Sequence, residues 1–244
     1  MPLDDPSICL LEKQRQFNAA MERYDSVRGY KVFGVAVAVA NVSLQAWLLW
    51  RVQPLVIGAA GQSAAILVAW VLADFVNGLV HLTMDRNDRY DSLAGPLVAN
   101  FHLHHKTPRY KPHHLAVVYF VESGSKVWLV PCLAGVALLT AVDGISPLLL
   151  HILVYTGILS SVAEVSHYLC HTSASPLAGF LARCGILLSK RHHAAHHLRD
   201  NVSYAFLNGI TDPLLDAIAA RVSRGYKNHT DLHYATYGLE GDGR

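Results

Sequence analysis

The stretch "VFGVAVAVANVSLQAWLLW", residues 32 to 50, carries no charged side chain and no proline. As a helix rising about 1.5 Å per residue, it crosses most of a bilayer hydrocarbon core about 30 Å thick. Three more stretches read the same way: Val56 to Asn77, Val127 to Val142 and Pro147 to Ser166. The third is short and is interrupted by Pro131 and Gly135. Composition agrees, because 52% hydrophobic against 16% charged residues, with mean hydropathy +0.26, does not fit a water-soluble domain. The expected fold is therefore all-α, an integral membrane bundle of about four transmembrane helices. A cytoplasmic N-terminal segment (1–31) precedes the membrane domain (32–221), and a polar tail (222–244) follows it. A further apolar piece, Leu177 to Leu188, contains Arg183 and is too short to span, so an interfacial or re-entrant helix is expected there.

Orientation follows from the basic residues. Lys13, Arg15, Arg23, Arg28 and Lys31 precede the first stretch, and only Arg51 lies between the first two. Arg86, Arg89, Lys106, Arg109, Lys111 and Lys126 fill the long connection after the second, and Arg183, Lys190, Arg191, Arg199 and Arg221 follow the fourth. Cytoplasmic connections carry the Lys and Arg excess, so both termini and the long connection are assigned to the cytoplasm, of a bacterial inner membrane or the endoplasmic reticulum. The opening MPLDDPSICLLEKQRQ lacks the basic start, apolar core and cleavage site of a signal peptide. A net charge of +2 gives no argument for a nucleic-acid partner. Cys9, Cys132, Cys170 and Cys184 are far apart and form no CxxC, which indicates neither a disulfide framework nor a thiolate zinc site.

That topology gathers twelve of the fifteen histidines on one membrane face. His81 ends the second span, and His102, His104, His105, His113 and His114 lie in the long connection. His167 and His171 extend the fourth span, and His192, His193, His196 and His197 follow it. Helix positions three or four apart share a face, so His193, His196 and His197 form one cluster and His167 with His171 another. Asp74, His81 and Asp85 make a stripe on the second span with Asn77 beside it. This is more than one tetrahedral zinc can use. Imidazoles with one or two carboxylates and no thiolate suit non-haem iron, most economically two ions.

Plainer readings compete at several positions. Asp74 and Asp85 could simply mark a helix end, although a carboxylate inside a membrane is costly and is a functional candidate by default. Glu164, one turn before His167, has the same standing. Spacing does not separate His113 from His114. His229 and His233 sit in the polar tail and read as solvated surface, while His151 falls on the opposite face and reads as structural.

The stretches "DFVNGLVHLTMD" (74–85), "FHLHHKTPRYKPHH" (101–114), "HYLCH" (167–171) and "SKRHHAAHHLRDNVSYAFLNGITDPLLD" (189–216) resemble, in order and spacing, the membrane lipid desaturases typified by plasmanylethanolamine desaturase. The resemblance covers roughly residues 70 to 216. HxxHH alone is shared with acyl desaturases and fatty acid hydroxylases, whereas the ordered set is much more specific. The resemblance implies an O2-dependent oxidoreductase that binds two iron ions (Fe2+), with His81, His104, His105, His114, His167, His171, His193, His196 and His197 as ligands. It leaves His102, His113 and His192 secondary, and gives Asp74 and Asp85 the role of orienting ligand imidazoles. Two departures stand out: "LAVVYFVESG" (115–124) lacks the family's acidic-then-Asn stretch, and Glu164–Val165 replaces its Asn-Gln pair.

Three classes of function remain open on the residues. The first is lipid desaturation, most sharply of a 1-alkyl ether phospholipid to a vinyl ether, with a fatty acyl desaturase as its variant. The second is hydroxylation of a lipid on the same iron scaffold, and the third a non-enzymatic membrane metal-binding protein; a zinc-dependent hydrolase is a further possibility, but it would leave most of the histidines idle. The chain has no GxGxxG after a strand and no Cys cluster, so a desaturase here needs a separate electron donor, which the resemblance suggests is of cytochrome b5 or ferredoxin type.

Overall fold

A computed structural model describes residues 6–106, 113–121, 126–199 and 201–223. His229, His233 and nearly all of the polar tail lie outside the described residues. Helices α1 (Pro6–Ser26), α2 (Arg28–Val52), α3 (Gly58–Asp85), α4 (Gly95–Lys106) and α5 (Leu115–Val121) come first. They are followed by α6 (Leu129–Leu139), α7 (Pro147–Thr172), α8 (Pro176–Arg183), α9 (Lys190–Leu198) and α10 (Asp212–Val222), with no strand among the described residues. The all-α expectation holds.

Three helices, α2, α3 and α7, are long and apolar enough to cross a membrane. Their outward faces are aliphatic: Val35 is 60% and Leu67 64% exposed, a surface that water does not tolerate and lipid does. The expected third span is shorter than its apolar run. Its helix, α6, has 11 residues, which covers about 16 Å at the usual rise and falls well short of a bilayer core. The expected piece at 177–188 forms α8, a short helix that buries no residue.

α3 and α7 form the centre of the bundle. Ala65, Ala69 and Ala73 on α3 are fully buried, and Ala73 packs with Ala163 of α7. Small side chains let two helix backbones approach where lipid offers no hydrophobic drive for association. Polar residues then join the helices. Asn77 Nδ2 donates to Ser160 Oγ (2.9 Å), Gln45 Nε2 to Ser161 Oγ (2.8 Å), and Tyr119 Oη to Gln45 Oε1 (2.7 Å). Lys126, 2% exposed, donates to Asn77 Oδ1 (2.8 Å) and pairs with Glu164 Oε1 (3.1 Å).

The N-terminal segment is a packed element. Phe17, Ala20 and Met21 of α1 bury against Tyr90 and against Val98, Ala99 and Leu103 of α4, and Lys13 pairs with Asp88 (3.2 Å). α1 thereby braces α4, which carries the HLHH stretch. At the other side of the bundle, α10 and the segment before it bury Tyr204, Ala205, Leu215 and Ala219 against Leu82 of α3. Gly78 makes that contact possible. A Cβ there would meet the Leu215 side chain and stand 3.2 Å from the Ala205 backbone.

Candidate metal centre

Four helices bring their histidines to one point. His81 and Asp85 occupy the last two turns of α3, His167 and His171 those of α7, and His104 and His105 the last turn of α4. His193, His196 and His197 lie on α9, whose N-cap Ser189 accepts from the His192 backbone N–H (3.1 Å).

The ligand atoms sort into two neighbouring groups. The first holds His81, Asp85, His105 and His196, all buried and all within 4.8 Å of one another. Asp85 Oδ2 is 3.5 Å from Nε2 of both His81 and His196, and Oδ1 is 3.1 Å from His105 Nε2. The second comprises two overlapping triplets, His104 with His167 and His193, and His171 with His193 and His197. α3 serves only the first group and α7 only the second, whereas α4 and α9 serve both. The two groups therefore abut: the rings of His104 and His105 are 4.2 Å apart, and those of His105 and His197 5.0 Å.

Backbone carbonyls fix which nitrogen faces inward. His81 Nδ1 donates to Tyr204 O (2.7 Å), His196 Nδ1 to Val202 O (3.0 Å), His197 Nδ1 to His105 O (3.0 Å) and His104 Nδ1 to Phe101 O. A carbonyl can only accept, so each Nδ1 carries the proton and each Nε2 keeps its lone pair for a metal. Val202 and Tyr204 belong to a constrained segment. Asn201 (φ 56°) and Ser203 (φ 61°) are left-handed without being glycine, a conformation of some cost that surrounding bonds must hold. Asp216 accepts from Ser203 N (2.8 Å), Asp212 accepts from Ala205 N (2.8 Å), and His192 bonds the other oxygen of Asp212.

Electrostatics keep the cluster unprotonated. Burial, reinforced by neighbouring imidazoles, drives His104, His193 and His196 well below the ordinary histidine range and takes His197 down to about 3. His192 moves the other way, raised by its bond to Asp212. Neutral imidazoles are the form that binds metal.

The site fits metal. His81 Nε2, Asp85 Oδ2, His104 Nε2 and His193 Nδ1 are buried with no hydrogen-bond partner, an arrangement that is costly unless something else meets those atoms. Nε2 of His167, His171 and His193 are 2.9 to 3.2 Å from one another, and His197 Nε2 is 2.9 Å from His193 Nε2. Ligands about 2.1 Å from a shared ion stand about 3.0 Å apart at right angles and about 3.4 Å apart at the tetrahedral angle. Spacings in this range allow the group to share an ion.

Residues 70–222, more than half of the chain, match the lipid desaturase domain family. The chain belongs to that family. No curated protein and no solved structure gives a significant match. The expected oxidoreductase desaturase class, membrane residence and histidine-based metal binding all accord with the family and with this geometry.

The structure gives several of the expected site residues other surroundings. Asp85 does not stand behind the ligand imidazoles; its carboxylate lies among them, one helical turn from His81. Asp74 belongs to neither ligand group and holds a loop instead. Its carboxylate accepts from the backbone N–H of Asn208 (2.9 Å), Gly209 (3.1 Å) and Thr211 (3.0 Å) and from the Thr211 hydroxyl (2.7 Å). His114 is exposed, accepts from Ala116 N (3.3 Å), and joins neither group. His113 is exposed too, and its backbone N–H bonds the Tyr168 hydroxyl (2.9 Å). Both ring nitrogens of His102 are engaged, by Tyr90 Oη (2.7 Å) and Met84 O (2.9 Å), which ties α4 to the end of α3. His192, Asn77 and Glu164 serve as the structural partners described above. His151 bonds Pro147 O (2.8 Å) at the opposite end of α7.

Two aromatic residues went unnoticed in the sequence. The Phe206 ring lies 5.3 Å from His81 and 5.2 Å from His167, and Phe101 lies 5.5 Å from His81. They wall the cluster against the bundle interior, and Lys126 stands over the far face of Phe206 (5.1 Å).

Proposed function

We propose that this desaturase removes one hydrogen from each of two adjacent carbons of a lipid chain, most sharply converting a 1-alkyl ether phospholipid (plasmanylethanolamine) to its vinyl ether (plasmalogen). The observation that carries the reading is the pair of abutting ligand groups at one end of an apolar bundle. In balance, the saturated chain, O2, two electrons and two protons yield the alkene and two waters. Two Fe2+ ions would be held by His81, Asp85, His105 and His196 and by His104, His167, His171, His193 and His197, and would supply the oxidising chemistry that no side chain possesses.

The chain's own residues do the rest. Carbonyls of Val202, Tyr204, Phe101 and His105 hold four imidazoles in orientation. Burial keeps His104, His193 and His196 neutral, so protons do not compete for the ligand lone pairs near neutral pH. Phe101, Phe206 and Tyr204 surround His81 with aromatic rings, which restricts water around it. The distribution of Lys and Arg supports a cytoplasmic site, where a cytochrome b5 or ferredoxin type donor would deliver electrons.

The test is elemental analysis of the purified protein, followed by incubation with a 1-alkyl phospholipid, O2 and a reducing system. About two irons per chain and an acid-labile vinyl ether product support the reading. A hydroxylated product would move it to a hydroxylase on the same scaffold, and a single zinc would remove it.

A further inference from the structure

A cleft of about 560 Å³ opens where the end of α7, the whole of α8 and the start of α9 meet. Leu169, Ala178, Ala182 and Leu187 give it an apolar lining, while Arg183 and Lys190 bring two cations. No carboxylate lines it, and neither cation makes an ion pair among the described residues. A concave surface with unopposed guanidinium and ammonium groups attracts a phosphate, and Arg in particular binds one in a two-pronged geometry.

The surroundings say what kind of phosphate. α8 buries no residue, and it exposes Leu177 and Phe180, with Ile186 just beyond. An apolar, unburied helix at the end of a membrane-length helix belongs in the headgroup boundary of a bilayer. A soluble anion would use the cations and leave the apolar lining idle. A phospholipid uses both, its phosphodiester on Arg183 and Lys190 and its glycerol and the chain that does not react on Leu169 and Ala182.

We propose that this cleft is the headgroup subsite, holding the phosphodiester of the membrane phospholipid whose chain enters the metal centre. The proposal rests on the lipid-desaturation reading. Leu169 precedes His171 by two residues on α7, and Lys190 precedes His193 by one turn on α9. A headgroup bound there lies within about two helical turns of the second ligand group.

The test compares wild-type protein with the double variant Arg183→Gln/Lys190→Gln, both in detergent. Binding of a fluorescent phosphatidylethanolamine and of the matching diacylglycerol is measured, with bound metal determined on the same samples. Losing two charge-assisted contacts should weaken phosphatidylethanolamine binding by at least about tenfold, with diacylglycerol binding and metal content unchanged. Equal phosphatidylethanolamine affinity in both proteins overturns the proposal. Displacement of the lipid by an equimolar amount of inorganic phosphate overturns it too, because that marks a plain anion site. A measurement on the wild type alone guards against a variant that does not fold. Phosphatidylethanolamine with a photoreactive headgroup should crosslink within residues 173–190, and labelling confined to other segments sinks the idea. Intact headgroup binding in a protein that forms no desaturated product would remove the functional reading and leave the cleft standing, whereas product formation with unaltered binding in the variant removes the cleft alone.

Discussion

Asp85 and His196 face each other at 3.5 Å, Oδ2 to Nε2, although one closes α3 and the other lies on α9. The same oxygen is 3.5 Å from His81 Nε2 and has no hydrogen-bond partner. An anion so placed gives the first group its only negative charge. Asp85→Asn is expected to weaken metal binding at that group by at least about 10- to 100-fold, judged by the effect of lesser changes around metal sites. Metal per chain measured against chelator concentration checks this, and wild-type retention would return Asp85 to an orienting role.

His193 takes part in both triplets of the second group. His193→Ala should therefore empty the second group and leave the first, so that bound metal falls to about half and turnover falls below detection, provided that the two groups hold one ion each. Elemental analysis beside a product assay reads both quantities. Full metal with normal turnover would show that the second group is not a metal site.

His114 offers the opposite expectation. It is exposed and outside both groups, so His114→Ala should keep wild-type metal content and melting behaviour. Loss of an ion in that variant would mean that the long connection folds inward when metal binds.

Asp74→Ala should act through stability. Four hydrogen bonds to its carboxylate hold residues 208 to 211, and bonds to a charged acceptor contribute about 1.5 to 3 kcal/mol each. A loss of at least about 3 kcal/mol is expected, since solvent replaces only part of what is removed. Thermal unfolding in detergent measures it, and an unchanged melting temperature would contradict the arrangement.

The pH response has a definite sign. Unfolded histidine takes up a proton near pH 6.5, whereas His197 in the folded protein resists protonation until about 3, and His104, His193 and His196 are lowered as well. Below about pH 6.5 the unfolded chain thus binds more protons than the folded one, and stability falls as pH falls. Above it these groups contribute no slope. The metal-free protein should melt progressively lower as pH drops from about 6.5 toward 4; a melting temperature that rises on acidification would contradict the burial of the cluster.

Much of this was legible in the chain. Uninterrupted apolar runs placed α2, α3 and α7, and helical spacing paired His167 with His171 and grouped His193, His196 and His197. The ends were harder. α3 runs on from Asn77 to Asp85 and α7 from Ser166 to Thr172, because the polar residues there are buried by one another instead of facing water. Asp85 carried a usable signal, since it lies one turn from His81 in register with the ligand. Lys126 carried none. In the sequence it counted as a loop charge, and only the approach of α7 reveals Glu164 as its partner. The displacement of Asp74 was equally hidden, because a stripe on one helix does not say which distant loop will meet it.

That buried pair bears on how the protein is made. Lys126 emerges from the ribosome well before Glu164, and an ammonium buried without its carboxylate partner is costly. Lys126 should therefore stay hydrated until its partner has been made. It can be buried only once α7 has been laid down, so that the last long helix to arrive licenses the final packing of the residues just before α6.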